Sequence, residues 1–236
     1  PPAISGGTRL IAKDGSAVAA DPDRDAVYVV DLASRAVATI PLQPGDEPGR
    51  LVEDGNGRVH VALRSGGAIV SIDLASKTIV DRREVCVAPR GIAYDDADDG
   101  LYVACASGEL VELPAAGGAP TRSLDLDRDL RDVLVRGDAV LVTRFRSAET
   151  IVVSKASWTQ ESSFAPGMSI DGRTPAVAWR SVMSSSGHAV MIHQRGPSAS
   201  QPVEITPGGY ASDVTSMPDE RSCAPSIVES AISVAF

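Results

Sequence analysis

The sequence predicts an all-β fold built from repeated four-stranded antiparallel units. Four arginines, Arg9, Arg50, Arg90 and Arg131, recur at intervals of 41, 40 and 41 residues, and each opens a short β-branched run that ends in a turn. Similar alternating runs follow at matching places in each unit. No stretch carries the 3.6-residue apolar stripe of a helix. A period of about 40 to 45 residues with strand character predicts a β-propeller whose blades are these units.

Four strands can be assigned in each of the first four units. The first strand begins at the recurrent arginine. The second is the alternating run after the turn, at residues 16–20, 58–64, 101–106 and 139–144. The third covers residues 26–32, 68–74, 109–113 and 150–153, and a fourth run such as 36–42 completes the unit. Short strands joined by Gly-, Asp-, Asn- and Ser-rich turns form antiparallel meanders. We therefore predict blades at residues 7–43, 48–86, 89–126 and 130–165.

The remainder of the chain is less regular. A fifth blade is predicted at residues 173–206, with strands at 175–182, 187–194 and 201–206. The polar residues 207–226 are predicted to form a loop, and the alternating apolar run at 227–236 the first strand of a further blade.

The predicted units do not fill a closed ring in an obvious way. About five units and one strand suggest part of a six- or seven-bladed ring, completed by a partner chain or an additional domain, because an open apolar edge promotes aggregation. The alternative is a closed five-bladed ring whose last strand joins another blade. Either way, residues 1–236 are interpreted as one propeller domain or a fragment of one.

Composition limits the classes of function. The chain has 236 residues, 43% of them hydrophobic, which is enough for one substantial core. Its net charge of −9 argues against general nucleic-acid binding, which requires a basic face. No apolar stretch approaches the ~18 residues of a transmembrane span.

The cysteines indicate the compartment. Cys86 precedes the first strand of the third unit and Cys105 ends its second strand, and an antiparallel pair brings those ends together. We expect a disulfide between them, although two buried reduced cysteines are the alternative. A disulfide implies an oxidising environment, so the predicted location is periplasmic or extracellular. Cys223 is left without an assigned partner.

Part of the third unit resembles a known repeat. Pro89-Arg-Gly-Ile-Ala-Tyr-Asp followed by Leu101-Tyr-Val-Ala is similar to the YVTN/NHL-like propeller repeats of secreted and surface proteins. The resemblance covers roughly residues 7–153. Asp21-Pro-Asp-Arg-Asp, Pro48-Gly-Arg and Thr143-Arg-Phe-Arg-Ser-Ala-Glu look like bacterial envelope propellers found beside c-type cytochrome or di-haem peroxidase-like domains. The chain has no Cys-x-x-Cys-His, so the resemblance implies haem only in a neighbouring domain and no cofactor in this chain.

The arginines are the candidate binding residues. The start of a blade's first strand and the end of its second emerge on one face, around the mouth of the central channel. The first position carries Arg9, Arg50, Arg90 and Arg131, and the second carries Arg64, Arg146 and Arg195. Guanidinium groups bind carboxylates and phosphates, so an anionic ligand or partner is predicted, with His193 as a further mouth residue. The alternative is that each arginine pairs with a nearby acid, such as Asp132, Asp95 or Glu149.

No catalytic residue or metal site is predicted. Nucleophile-elbow, zinc and phosphate-loop motifs are absent from the sequence, and the acidic turns lack the EF-hand pattern. His60 alternates with Val59 and Val61 and is interpreted as a packed strand residue. The leading function is a non-catalytic scaffold or binding module. The alternative is a metal-dependent, lactonase-like propeller hydrolase, which needs converging carboxylates where this chain has arginines.

Overall fold

The strands form five antiparallel sheets. A computed structural model of the chain describes residues 8–169, 172–197 and 228–235, and no helix occurs among them. The strands are β1 (Arg9–Ile11), β2 (Ser16–Asp21), β3 (Ala26–Asp31), β4 (Val37–Pro41), β5 (Pro48–Glu53), β6 (Arg58–Leu63), β7 (Ala68–Asp73), β8 (Thr78–Glu84), β9 (Pro89–Asp95), β10 (Gly100–Cys105), β11 (Glu109–Pro114), β12 (Arg122–Asp125), β13 (Leu130–Arg136), β14 (Ala139–Arg144), β15 (Thr150–Ser154), β16 (Thr159–Phe164), β17 (Thr174–Met183), β18 (Ala189–Gly196) and β19 (Glu229–Ala235).

The first four sheets are four-stranded meanders. Strands β1 to β4, β5 to β8, β9 to β12 and β13 to β16 pair in chain order, each strand with the next. The first strands of successive sheets pack side by side, β5 against β9, β9 against β13, and β13 against β17. These first strands therefore line the centre of the array, and the predicted four-stranded antiparallel blades are confirmed for the first four units.

The fifth sheet corrects the prediction for the last strand. It contains three described strands in the order β17, β18, β19, and Ile192 of β18 pairs with Ile232 of β19. The prediction that residues 227–236 begin a further blade is therefore wrong, because β19 completes the free edge of β18. Alternation identifies a strand but does not identify its partner. The predicted strand at 201–206 and the loop at 207–226 lie outside the described residues.

Apolar cores lie between successive blades. Alternation with period two sends neighbouring residues of one strand to opposite faces. Val61 and Val70 of the second blade pack against the first blade, whereas Ala62 and Ile69 pack against the third. Equivalent clusters join the third blade to the fourth and the fourth to the fifth. Each inner blade is thus buried on both faces.

The two terminal sheets each expose one apolar face. On the fifth sheet, Ile232 is 69% exposed, and Ile192 and Val234 on the same face are also exposed. On the first sheet, Ile11 and Val37 are exposed. No core cluster among the described residues joins these two sheets. The exposed faces therefore have the β-branched character of the faces that are buried between the other blades.

The predicted disulfide is present. Cys86 and Cys105 are joined across a sequence separation of 19 residues. Cys105 is buried in the core between the second and third blades. The bond ties the segment that enters the third blade to the end of its second strand. Among the described residues, no helix is long and apolar enough to cross a membrane.

Replacing both bridged cysteines, Cys86→Ala and Cys105→Ala, should lower the free energy of unfolding. Opening a loop of this length is expected to cost about 3 kcal/mol, because the unfolded chain regains conformational entropy. Urea denaturation without reductant measures the difference. A reductant should reduce the stability of the wild type towards that of the variant and leave the variant unchanged. Equal stability of the two proteins without reductant would contradict this role.

Candidate functional site

A β-bulge recurs in the first strand of four blades. Besides a separate shift between Pro175 and Ala178 of β17, the pairing of the first strand with the second shifts by one residue at four dipeptides. These are Gly49-Arg50, Arg90-Gly91, Arg131-Asp132 and Trp179-Arg180. A bulge places two residues opposite one and redirects their side chains. Each of these blades therefore presents two consecutive residues near the centre of the propeller, although Gly49 and Gly91 add no side chain.

The bulges show that Arg50 is not structurally equivalent to Arg90 and Arg131, contrary to the prediction from the repeat. Pro48, Pro89 and Leu130 pair with the last residues of their neighbouring second strands, Leu63, Cys105 and Arg144. Counted from these pairs, Arg90 and Arg131 are the first residues of their bulges, whereas Arg50 is the second. The prediction that Arg50 occupies the same position is therefore wrong, and the single interval of 40 residues among those of 41 reflects this offset.

The second bulge residues form a buried ionic cluster at the centre. Arg50 is 6% exposed and Asp132 is 1% exposed. The Asp132 Oδ1 atom accepts hydrogen bonds from Arg50 Nε at 2.9 Å and from Arg180 Nη1 at 3.0 Å. Its Oδ2 atom accepts the Ser181 backbone N–H at 2.8 Å. The cluster therefore connects the second, fourth and fifth blades through one carboxylate.

Glycine is required where the third blade approaches this cluster. A Cβ atom added at Gly91, the equivalent bulge position, would lie 2.7 Å from the carbonyl oxygen of Arg131. No side chain fits without a shift of the backbone. The third blade therefore packs closely against the fourth and contributes no side chain from this position to the cluster.

The central cluster carries an excess of positive charge. Two guanidinium groups share the Asp132 carboxylate. Burial lowers the pKa of Arg50 to about 10, opposed by the attraction of Asp132 and assisted by repulsion from Arg180 and Arg131. A lowered arginine pKa means that the charged form is less stable here than in water. The centre of the propeller thus has a positive electrostatic potential.

The first bulge residues and their neighbours form the arginine mouth, which we define as Arg64, Arg90, Arg128, Arg131 and Arg146. Burial lowers the pKa of Arg90, and repulsion from Arg64 and Arg131 lowers it further. Burial also lowers the pKa of Arg131, opposed by Asp132 and assisted by Arg64 and Arg180. These half-buried guanidinium groups therefore lie near enough to repel one another.

The mouth arginines differ in their partners. Arg64 Nη2 lies 3.6 Å from Glu47 Oε2. The guanidinium of Arg131 lies 4.9 Å from the ring centre of Phe145, and its Nε atom is buried without a hydrogen-bond partner. Within the described ranges Arg90 has no hydrogen bond or ion pair. Two of the charges are therefore not neutralised by a carboxylate of their own.

A cavity of about 500 Å³ opens at this mouth. Its charged lining residues are Arg90, Arg128, Arg131 and Arg146, with Asp129 as the one acidic side chain in the lining. Phe145 adds an aromatic wall, and the Trp179 ring meets the Phe145 ring edge to face at 5.9 Å. Arg128 was not predicted from the sequence, because it lies in the acidic stretch 125–129, outside the recurring arginine positions.

Three predicted mouth residues do not line this cavity. Arg9 is exposed at the start of β1, and Arg195 lies at the end of β18, where its backbone pairs with Glu229. His193 is fully buried, with Nδ1 2.9 Å from the Gln194 carbonyl oxygen and Nε2 2.9 Å from Ser233 Oγ. Its imidazole is therefore not accessible to a ligand in the mouth.

The alternative prediction, that each arginine pairs with a nearby acid, describes Arg50 but not Arg90. Asp132 binds Arg50 and Arg180, as described above. Asp95 binds Lys155, and Glu149 binds Arg144 at 2.9 Å. Asp95 and Glu149 therefore have partners other than the predicted mouth arginines. Groups of three or more His, Cys, Asp or Glu side chains able to hold a metal ion are absent from the described residues.

His60 forms a buried polar chain inside the second blade. Its Nδ1 atom lies 2.8 Å from Ser71 Oγ, and its Nε2 atom lies 3.3 Å from Asp54 Oδ2. All three side chains are buried. Burial lowers the pKa of His60, although Asp54 opposes this effect. The Asp, His and Ser side chains are not accessible to a substrate. Their hydrogen bonds therefore stabilise the blade.

These blades define a β-propeller module, and solved structures agree with that assignment. The chain is similar to hydrazine synthase of Kuenenia stuttgartiensis, with a TM-score of 0.72 and 14% identity over 83% of this chain and 57% of that one. It is also similar to a catalytically inactive virginiamycin B lyase of Staphylococcus aureus with quinupristin, with a TM-score of 0.66 and 12% identity over 80% of this chain and 66% of that one.

A streptogramin B lyase gives a TM-score of 0.65 and 11% identity, over 83% of this chain and 67% of the other. This chain thus spans about three-fifths to two-thirds of the length of these structures. Identities this low establish the fold alone. No protein-family profile matches the sequence. No curated protein sequence matches it either.

The variant Asp132→Asn should destabilise the fold strongly. It removes the negative charge that compensates Arg50 and Arg180, and breaking a buried ion pair typically costs about 3 to 5 kcal/mol. The matched control is Asp127→Asn, because Asp127 pairs with Arg144 at 3.1 Å but its side chain is 76% exposed. That exposed pair should contribute less than about 1 kcal/mol. Urea denaturation of both variants is the measurement, and equal losses would contradict the central role of Asp132.

His60 should make the stability depend on pH. Because its folded-state pKa is lowered, the unfolded chain binds the proton more tightly. Its contribution is complete above the unfolded pKa of about 6.5 and is lost as the pH falls below that value. The free energy of unfolding should therefore fall more steeply between about pH 7 and pH 5 in the wild type than in His60→Asn. Parallel pH profiles would show that His60 does not titrate on unfolding.

Proposed function

We propose that this β-propeller is a non-catalytic binding module whose arginine mouth docks an anionic group. The observation that carries the proposal is the pair Arg90 and Arg131. Both guanidinium groups are half-buried, both have lowered pKa values, and neither forms a described ion pair. An anion entering the cavity would replace lost hydration and offset the mutual repulsion of the arginines.

The chemistry of the mouth favours carboxylates or phosphates. A guanidinium group presents several N–H donors in a plane and binds such groups through two parallel hydrogen bonds. Although the whole chain has a net charge of −9, the cavity lining contains four arginines and one aspartate. A concave positive site on an acidic protein concentrates the electrostatic potential and attracts anions selectively.

We infer that the anion is a carboxylate of a small ligand, of an acidic segment of a partner, or of a haem-bearing redox domain. The last of these rests on the resemblance of the repeats to envelope propellers. This chain itself would supply arginines and no cofactor. The disulfide supports a periplasmic or extracellular location.

A partner or an additional domain is also proposed to cover the terminal blades. The exposed apolar faces of the first and fifth sheets support this, because exposed β-branched surface on a sheet promotes association. The greater length of the similar solved chains is consistent with further blades.

The alternative function, a metal-dependent lactonase, has less support. It requires acidic side chains from several first strands to converge in the channel. The bulge positions carry Arg50, Arg90, Arg131 and Arg180, and the one carboxylate at these positions, Asp132, is bound to two of them. Binding is therefore the function that this geometry favours.

Citrate is a suitable probe of the mouth, because its three carboxylates can contact several arginines. Citrate should bind the wild type in isothermal titration calorimetry at low ionic strength, and added NaCl should weaken binding. The double variant Arg90→Gln/Arg131→Gln should lose at least about tenfold in affinity, since each charged hydrogen bond contributes about 1.5 to 3 kcal/mol.

The matched control is Arg24→Gln/Arg35→Gln, which removes the same charge from exposed residues of the first blade. It should change the affinity less than about twofold if the site is local. Equal losses in the two double variants would show that citrate responds only to net charge. No binding to the wild type would contradict the proposal.

A further inference from the structure

A second cavity lies between the fourth and fifth blades and differs from the mouth in chemistry. Its volume is about 300 Å³, and none of its lining residues is charged. Leu134 and Phe164 contribute from the fourth blade, and Ala189 and Met191 from the fifth. Small ligand sites in proteins are mainly apolar, begin at about this volume and contain a few fixed polar groups.

The cavity exists because the core between these two blades contains few large side chains. Its buried residues are Leu134, Leu141 and Ala189 in one cluster and Ala148, Ala178 and Met191 in another. The other cores between blades are larger clusters with many Val, Leu and Ile residues. Ala165 and Gly167 also line the cavity, where their small side chains leave space unfilled. Protein interiors are normally packed without such voids.

Ser181 places one free hydroxyl group in this apolar lining. Its side chain lies in the lining, and the residue is 2% exposed. The backbone N–H is held by Asp132, but Oγ is buried and has no hydrogen-bond partner in the described part of the chain. Leaving a buried hydroxyl group unpaired is unfavourable.

Two other hydroxyl groups in the lining already have partners. Thr143 Oγ1 accepts the Asp132 N–H at 3.0 Å, and Ser233 Oγ lies 2.9 Å from His193 Nε2. A water molecule held in a protein cavity needs two to four polar partners. Thr150 adds a further hydroxyl group, but most of the lining is apolar, so a small organic molecule that pairs with Ser181 Oγ suits the space.

We propose that this cavity binds a small, neutral, largely apolar molecule of about eight to ten non-hydrogen atoms. A carbonyl or similar acceptor on the ligand receives a hydrogen bond from Ser181 Oγ, and the remainder contacts Leu134, Phe164, Ala189 and Met191. An anion would be rejected, because burying a charge without a charged partner is costly. The site therefore selects ligands opposite in character to those of the arginine mouth.

Three probes of similar size test this selectivity. Acetophenone offers a ring and a carbonyl acceptor, ethylbenzene offers the ring without the acceptor, and benzoate offers the ring with a charge. Methionine ¹³C-methyl NMR reports on the site, because Met191 lines the cavity. Its resonance is assigned with Met191→Leu. Acetophenone should shift this resonance at the lowest concentration and ethylbenzene at a higher one. Benzoate should leave it unchanged.

Variants separate a specific site from general apolar binding. Ser181→Ala should weaken acetophenone about fivefold to tenfold, the cost of one hydrogen bond, and leave ethylbenzene unchanged. The control Ser123→Ala removes an exposed hydroxyl group on β12 and should change neither affinity. Ala189→Leu should fill the cavity and abolish the binding of both acetophenone and ethylbenzene. If that variant does not fold, Gly167→Leu replaces it, since an added Cβ there meets no atom within 4 Å.

The proposal is overturned if acetophenone does not shift the Met191 resonance up to its solubility limit. It is equally overturned if Ser181→Ala binds acetophenone as tightly as the wild type, or if benzoate binds as well as acetophenone. Arg90→Gln/Arg131→Gln should leave acetophenone binding unchanged. The acetophenone test therefore does not depend on whether the arginine mouth binds anions.

Discussion

The arrangement of the central strands depends on the buried carboxylate of Asp132. It accepts hydrogen bonds from Arg50 of the second blade and from Arg180 and the Ser181 N–H of the fifth. Contacts between neighbouring blades are mainly apolar and are spread over whole sheet faces. The Asp132 cluster instead crosses the centre and fixes blades that are not neighbours. In a medium of low dielectric constant such bonds are strong, and each unpaired member would be costly.

In the repeated bulge, one residue lies at the mouth and the next binds in the central ionic cluster. In the fourth blade Asp132 binds the central cluster, while Arg131 lies at the mouth against Phe145. In the fifth blade Arg180 reaches the cluster, and the partly exposed Trp179 ring contacts Phe145. The residues available for ligand binding are therefore held in place by the residues beside them, which suits a site that must keep like charges close together.

The sequence was informative where local spacing determines structure. The repeat and the period-two pattern predicted the first four blades, and the positions of Cys86 and Cys105 predicted their disulfide. The sequence was not sufficient where the structure depends on which strands pair with each other. The alternating run at 229–235 identified a strand but not its pairing with β18. The bulges changed the sequence pattern only by the 40-residue interval between Arg50 and Arg90, which does not by itself indicate a shift of register, so Arg50 was assigned to the mouth.

The pairing of β19 with β18 has a consequence for synthesis on the ribosome. The first four blades are each continuous in sequence, so each can form soon after its last strand emerges. The fifth sheet cannot form as early, because Ile192 pairs with Ile232, which is translated about 40 residues later. Until then the β17–β18 hairpin has an unpaired apolar edge, a state that recruits chaperones or other nascent chains. Of the five described sheets, the fifth is therefore the last whose strands are all synthesised.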